Sequence, residues 1–465
     1  MPERANDTPD KVRRLQNTLY LAAKRSPNRR FHALYDKVQR IDVLERAWAQ
    51  VKENRGSPGV DAQTIEAIEA SGVEPFLAAV QAELRHGQYR PHVVRRVWIP
   101  KPGKADKRPL GIPAVKDRVV QTAAKLVLEP IFEADFRDCS YGFRPKRSAH
   151  QARERIRKAL QAEQCRWVVD ADIRSFFDSV DWRILGALLR RRISDRRMLR
   201  LVEAWLRAGV LDRTVLVHPS VGTTQGAAIS PLLANVYLSV LDRIWEDRHR
   251  RLGKLVRYAD DLVILTWQRW QAERSWKLLS GILTRLKLEL ASDKTRLVGL
   301  EDPTQGFDFL GYHYRWLPTR RDRGRRHAAC WPSQRAMQAA RDRVRKLTPL
   351  QRIGLPISMV VQDLNQFLDG WGAYFRHGNS TQQLDRLDWY VQNRLCRFIG
   401  RKYGRRGTRR GLAVLLDSTD RLGLHRLTGT IRYDSAGHQV NATGEPCDRK
   451  GHARFDGEAL ETDEL

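Results

Sequence analysis

The sequence predicts an α+β protein of two or three packed units, on three observations. At 465 residues with 42% apolar content, the chain has ample core material but exceeds what one ordinary hydrophobic core organises. β-Branched runs flank turn residues at 93–113 and again around 257–266, which is the pattern of hairpins. From 333 to 400 apolar residues recur at helical spacing, with Val360, Val361, Leu364, Phe367, Leu368 and Trp371 marking one buried face.

The elements follow in order. Residues 10–90 read as helices around a polar loop, NRGSPGVDAQT, where Gly56, Pro58 and Gly59 punctuate a turn. VVRRVWIPKPGKADKRPLGIP (93–113) sets two strand-like runs about a Gly/Lys-rich loop and reads as a basic hairpin. Residues 114–160 are helical, interrupted by CSYGFRPKRS. RWVVDADIRSFFDSVD begins as a strand and passes into a helix, leaving Asp172 near the strand end. VGTTQGAAISPLLANVYLSVLD is a Gly-rich turn leading into a long helix. RYADDLVILT is a hairpin, 272–290 an amphipathic helix, and GFDFLGYHYRW a further strand pair. A basic, turn-rich stretch at 317–330, LPTRRDRGRRHAAC, marks a boundary, and helices follow it.

Charge narrows the function. Lys and Arg number 84 against 54 Asp and Glu, a formal charge of +30, so a polyanionic partner is expected, with nucleic acid the default. Seven Arg or Lys and no acid fall within 397–410: Arg397, Arg401, Lys402, Arg405, Arg406, Arg409 and Arg410. No apolar stretch approaches the length of a spanning helix, and the start, MPERANDTPDKVRR, lacks an apolar signal core. These features predict a cytoplasmic, nucleic-acid-associated protein. Five scattered cysteines without a CxxC pair argue against a zinc ribbon or a disulfide framework.

RYADD places Asp260 and Asp261 side by side, where each raises the cost of ionising the other. Two readings stand: the tip of a tight turn, which Asp tolerates, or a divalent cation held by both. The second requires a third carboxylate. Asp172 is the candidate, although an Asp at a strand-to-helix junction can equally be a helix N-cap.

RPLGIPAVKDRVVQ, YGFRPKRSAHQA, DADIRSFFDSVD, TQGAAISPLLANVYL, RYADD, SDKT and GFDFLGY occur in the order seen in reverse transcriptases, and resemble the group II intron-encoded branch in particular. The resemblance runs from about residue 15 to 435; LNQFLDGWGAYFRHGNSTQQLDRLDWYV is similar to the thumb and maturase region of that family, and LGLHRLTGTIRY to a segment near its end. It implies a right-hand polymerase. Residues 91–317 would form fingers and palm after an N-terminal extension, 318–400 a helical thumb or maturase domain, and 401–465 a basic segment with an acidic tail.

By the same resemblance Asp172, Asp260 and Asp261 are the metal-binding carboxylates for two Mg2+ ions, with Tyr258 packed beside them and Ala259 facing the primer terminus or incoming nucleotide. Lys101 and Arg108 match the fingers residues that hold the triphosphate; the bland alternative is a solvated basic loop. Gln225 and Gly226 would form the nucleotide floor. Phe177 matches the steric gate against a ribose 2'-hydroxyl, with a core aromatic as the competing reading. Lys294 would support the leaving phosphate, and Gly311 and Tyr312 match the primer grip.

The resemblance also implies an RNA template, a DNA primer, deoxynucleotides and the protein's own intron RNA as partners. Two features depart from the family. Thr224 stands where proline usually precedes Gln-Gly, which could loosen that loop. The paired cysteines of a zinc-binding HNH nuclease are missing, so no nuclease activity is expected. Besides the RNA-templated polymerase, a splicing maturase with little polymerase activity and a relative serving defence or repair remain open.

Overall fold

A computed structural model describes residues 8–100, 107–319, 326–403 and 421–431. Eleven strands are described: β1 (Val94–Pro100), β2 (Lys107–Ile112), β3 (Trp167–Asp172), β4 (Val210–Asp212), β5 (Val215–Val217), β6 (Lys254–Tyr258), β7 (Asp261–Thr266), β8 (Arg296–Gly299), β9 (Phe307–Phe309), β10 (Tyr312–Pro318) and β11 (Arg326–Pro332). They form three sheets, ordered β2-β1-β4-β5, β6-β7-β3-β8 and β11-β10-β9. With the helices around them, the fold is α+β.

The middle sheet organises the chain. Its ladders are antiparallel, with β7 central between β6 and β3. Successive side chains of a strand point to opposite faces, and here both faces are covered. Leu262 and Ile264 enter one core, which holds the N-terminal helices, the helix Val115–Glu133 and the helix Ser230–Ile244. Val263 and Leu265 enter the other, shared with the helix Ala149–Gln161, the β9–β11 sheet and the C-terminal helices. A strand buried on both sides reads as a continuous apolar run, which is why LVIL shows no alternation.

The basic hairpin is β1 paired antiparallel with β2, and β4 joins β1 in parallel. Strands β10 and β11 enter the basic stretch expected as a boundary, 317–330, from its two ends and pair antiparallel from Tyr312 with Pro332 to Pro318 with Arg326; residues 320–325 lie outside the described residues. The helices after it are Gln334–Leu347, Ile357–Phe375 and Thr381–Lys402. Among the described residues no helix is long and apolar enough to cross a membrane. Four cysteines, Cys139, Cys165, Cys330 and Cys396, are buried free thiols.

One carboxylate joins the N-terminal helices to the rest. Asp195 caps the helix Arg196–Arg207 through the Arg197 and Met198 N–H groups, 2.9 and 3.1 Å away. Its other oxygen accepts from the Leu34 and Tyr35 N–H groups, both at 2.8 Å. Burial alone would raise its pKa, but the four backbone donors outweigh that and hold it below the usual carboxylate range. A depressed pKa stabilises the fold above about pH 4, where the unfolded chain is also ionised, and this contribution is lost as pH falls through the folded value. Asp195→Ala is therefore expected to cost about 1–3 kcal/mol at pH 7. In denaturant unfolding, the difference from wild type should narrow as pH drops below about 4.

Candidate active site

The end of the middle sheet gathers the carboxylates. β3 and β7 pair so that Asp172 stands directly opposite Asp261, and Tyr258 of β6 flanks Asp261 on the other side. Asp260 precedes Asp261 in the β6–β7 turn. Asp172 is no helix cap: the next helix is Phe176–Ser179, with Ser175 at its N-cap position in a left-handed conformation. The chain after β3 is tied to 289–291 instead, through Ala291 N–H to Asp172 O at 2.8 Å and Arg174 N–H to Glu289 O at 2.9 Å. That tie brings Lys294 to Asp172, whose carboxylate accepts from the lysine ammonium.

Four carboxylates are thus close together with two cations between them. Asp170 and Asp172, two apart on one face of β3, are paired with Arg296 at 3.0 Å and with Lys294 respectively. Among the described residues Asp260 and Asp261 have no ion-pair partner. The Asp261 side chain is reached by solvent from the cleft, yet protein surrounds it on the remaining sides. This desolvation first, and then the Asp260, Asp172 and Asp170 charges, push its pKa up to about 7. Desolvation and Asp172 raise Asp260 as well.

Hard oxygen donors with excess negative charge suit a divalent cation such as Mg2+. Among the described residues no three such groups already form a closed metal-holding cluster. The donor chemistry fits all the same, with Asp172 having to turn from Lys294 toward the other two.

β2 locks onto the Gln-Gly loop. Gly111 N–H donates to Gln225 O at 2.7 Å, and a Cβ on Gly226, whose φ is +106°, would lie 2.5 Å from Gly111 O. Thr224 does not loosen this loop: its methyl group packs on Gly111, and Ala227 N–H closes the turn onto its carbonyl at 3.3 Å. Arg108 lies on β2 opposite Ile99, partly buried. Of the two adjacent aromatics, Phe176 is the core residue at 2% exposure, and Phe177 is half-buried with its carbonyl accepting from Thr223 N–H at 2.7 Å.

With this arrangement in view, the comparisons are specific. Residues 99–314 match the family model described as reverse transcriptase (RNA-dependent DNA polymerase), and 337–413 match the group II intron maturase-specific domain. The chain is 34% identical over 342 residues to protein YkfC of Escherichia coli, covering 65% of this chain and 87% of that one. It belongs to the group II intron-type reverse transcriptase and maturase family. Members of that family are RNA-directed DNA polymerases. The group II intron-encoded protein LtrA of Lactococcus lactis subsp. cremoris is 29% identical over 350 residues, 61% of this chain, which spans 57% of LtrA's length. An uncharacterized 91 kDa protein in the cob intron of Schizosaccharomyces pombe is 34% identical over 208 residues, 44% of this chain and 25% of that one.

Three residues of the family-derived set are held by the protein itself. Ala259 is buried against Gly142, and its φ is +56° with its carbonyl accepting from Arg257 at 2.8 Å. Tyr312 is buried with its hydroxyl donated to Tyr374 O, beside Gly311, where φ is +76°. Lys402 is held away from solution: its ammonium donates to Ile353 O at 2.6 Å and Leu355 O at 2.8 Å. Arg397 and Arg401 are exposed on the same helix. Lys101, Arg405, Arg406, Arg409 and Arg410 lie outside the described residues.

The first residue of RYADD draws little attention in the sequence, yet it supports the turn that carries Asp260 and Asp261. Arg257 is fully buried and donates to the Asp242 carboxylate at 2.7 and 2.5 Å, to Asn235 Oδ1 at 3.1 Å, to Ser140 Oγ at 2.7 Å and to Ala259 O at 2.8 Å. An Arg between Val256 and Tyr258 in a strand is the available signal, since a charge there requires a buried partner. Asp242→Ala leaves that guanidinium unpaired, and we expect a loss of about 3–5 kcal/mol in unfolding free energy. A loss below about 1 kcal/mol would place the pair among weak surface ion pairs.

Proposed function

We propose that the chain is an RNA-directed DNA polymerase built as a right hand. The β6-β7-β3-β8 sheet is its palm, the β1–β2 hairpin and N-terminal helices its fingers, and the helices after Gln334 its thumb. The observation that carries this reading is the pairing of Asp172 with Asp261 beside Asp260 at the open end of a sheet buried on both faces. Asp172, Asp260 and Asp261 would hold the divalent cations, Mg2+ by donor type. When bound, these supply charge neutralisation at the attacking 3'-hydroxyl and the leaving pyrophosphate.

The remaining residues bind and orient. Arg108, together with Lys101, holds the triphosphate, for which a bidentate guanidinium is suited. Gln225 and Gly226 carry the nucleotide, with the glycine leaving room for close backbone approach. Lys294 holds positive charge beside Asp172 and turns to the leaving phosphate when Asp172 takes a cation. The C-terminal helices, with Arg397, Arg401 and the Arg-rich run that follows, bind intron RNA through phosphate and 2'-hydroxyl contacts, assisting splicing and retrotransposition. Intact acidic and nucleotide-contacting positions favour the polymerase over a maturase with a vestigial site.

The double variant Asp260→Asn, Asp261→Asn should lose primer extension on an RNA template and retain RNA affinity, because catalysis and phosphate neutralisation use different residues. Wild-type extension by this variant would end the assignment. It should also lose the rise in melting temperature that Mg2+ gives the wild type, an effect readable without activity.

Phe177 tests the sugar contact. Phe177→Val should raise kcat/KM for ribonucleotides relative to deoxynucleotides, since a smaller side chain leaves room for the 2'-hydroxyl. A purely structural role predicts no change in that ratio. Stability would fall toward the roughly 3–5 kcal/mol typical of truncating a buried Phe, with both sugars affected alike.

A further inference from the structure

A concavity of about 400 Å³ lies on the C-terminal helical unit, away from the carboxylates. Its wall is the helix Thr381–Lys402, which contributes Arg386 and Trp389, and the helix Gln334–Leu347, which contributes Arg341. The opposite edge is the segment 424–430, bearing Arg426 and Thr428. This edge is built rather than draped. Asp388 is buried and its carboxylate accepts the Leu427 N–H at 2.9 and 3.0 Å, the Thr428 N–H at 2.7 Å and the Thr428 hydroxyl at 2.6 Å. Leu424 and Leu427 are buried beneath it.

Two features of the opening lack an internal explanation. Trp389 is 65% exposed, the most exposed large apolar side chain among the described residues. An indole left in water forfeits the burial that such side chains ordinarily provide. Arg341 and Arg386 line the same opening and make neither an ion pair nor a side-chain hydrogen bond among the described residues. Three arginines against Asp385 and Asp388 leave the lining at net +1. A flat hydrophobic face beside unpaired guanidiniums matches a ligand that is itself flat, aromatic and anionic.

We propose that this pocket captures one unpaired nucleotide of the bound RNA, with its base stacked on Trp389 and its phosphate held by Arg341 and Arg386. The proposal rests on the RNA-binding reading of the maturase-type region, within whose matched span Trp389 lies. A paired base is already stacked in its helix and cannot enter, so the pocket distinguishes loops and bulges from duplex. Stacking on an aromatic side chain is tolerant of base identity. The pocket therefore reads where RNA is unpaired rather than which base is there.

The full chain is tested with two probes: a hairpin RNA carrying 2-aminopurine in its unpaired loop, and a blunt RNA duplex of the same length. Trp389→Ala should weaken hairpin binding about ten- to a hundredfold, leave duplex binding unchanged and abolish the 2-aminopurine quench, while Trp389→Phe retains most of the affinity. Arg341→Ala with Arg386→Ala should lower the log-log salt slope for the hairpin by about 0.7 for each phosphate no longer neutralised. Single-nucleotide addition at saturating template should not change in any of these variants.

Unchanged hairpin affinity in Trp389→Ala overturns the proposal, as does an equal loss on both probes. If instead that variant loses only self-association of the chain, the surface is a contact between copies and the proposal again fails. Failure of the wild type to bind either probe would defeat the RNA-binding reading itself. That result is distinct from a wild type that binds both probes and is indifferent to Trp389.

Discussion

The Arg257 guanidinium joins three segments: the turn it precedes, the helix Ser230–Ile244 through Asn235 and Asp242, and the 139–142 loop through Ser140. The backbone repeats the connection, as Arg257 N–H donates to Cys139 O at 2.8 Å and Tyr141 N–H to Arg257 O at 2.9 Å. Asn235 then donates to Gly142 O at 2.8 Å, and a Cβ on Gly142 would collide with Ala259 N. The YGFRP and RYADD segments therefore interlock through backbone contacts that only glycine permits at that point. A buried ion pair contributes little net stability compared with apolar packing. Its use here is positional, because a left-handed residue turns its carbonyl inward, where a buried carbonyl needs a donor. Arg257 provides it, and its charge also favours ionisation of the adjacent Asp260.

What surrounds the turn explains why its position can be held. β7 leaves it directly into four buried apolar residues, Leu262 to Leu265, which alternate between the two cores. A shift of one residue in register would exchange those sets and move Asp261 away from Asp172. Packing on both faces thus imposes the register that sets Asp172 opposite Asp261. The carboxylates sit at the sheet end because that end opens to water, and ionised groups deeper in would need partners the apolar cores do not offer.

Much of this was legible from residue pattern alone. Hairpins appear as β-branched runs about turn residues, and the β1–β2 and β6–β7 pairs follow that rule. The meeting of Asp172 with Asp260 and Asp261 was a possibility in the sequence, since a helix cap explained the first equally well; only the strand register separates the two. Other features have no local signal. The basic stretch at 317–330 has the composition of a linker, and the pairing of the strands β10 and β11 at its two ends was not legible because pairing partners are not encoded locally. Lys402 and Tyr312 carry groups suited to nucleic acid, but their polar atoms are taken by carbonyls 47 to 62 residues away in sequence. Arg257 escapes notice because it adjoins a conspicuous pair of aspartates. Its acceptor Asp242 lies in an unremarkable helical stretch.

Charge of opposite sign is kept apart on this molecule. With a formal charge of +30, the chain as a whole is suited to attract polyanions. Its carboxylate site is the reverse, a local excess of negative charge in which Lys294 and Arg296 are already engaged with Asp172 and Asp170. If more side-chain cations were present there, Asp260 and Asp261 would be satisfied internally and would have no affinity left for a metal ion. If fewer were present, four carboxylates would repel strongly enough to protonate near neutral pH, a condition Asp261 already approaches with its pKa pushed up to about 7. The arrangement lies between these limits: Asp170 and Asp172 are paired within the chain, and among the described residues Asp260 and Asp261 are not. The overall positive charge of the chain and this concentrated negative charge at the sheet end are thus kept apart by the fold, because Lys294 and Arg296, the cations beside the carboxylates, are each already matched to one of them.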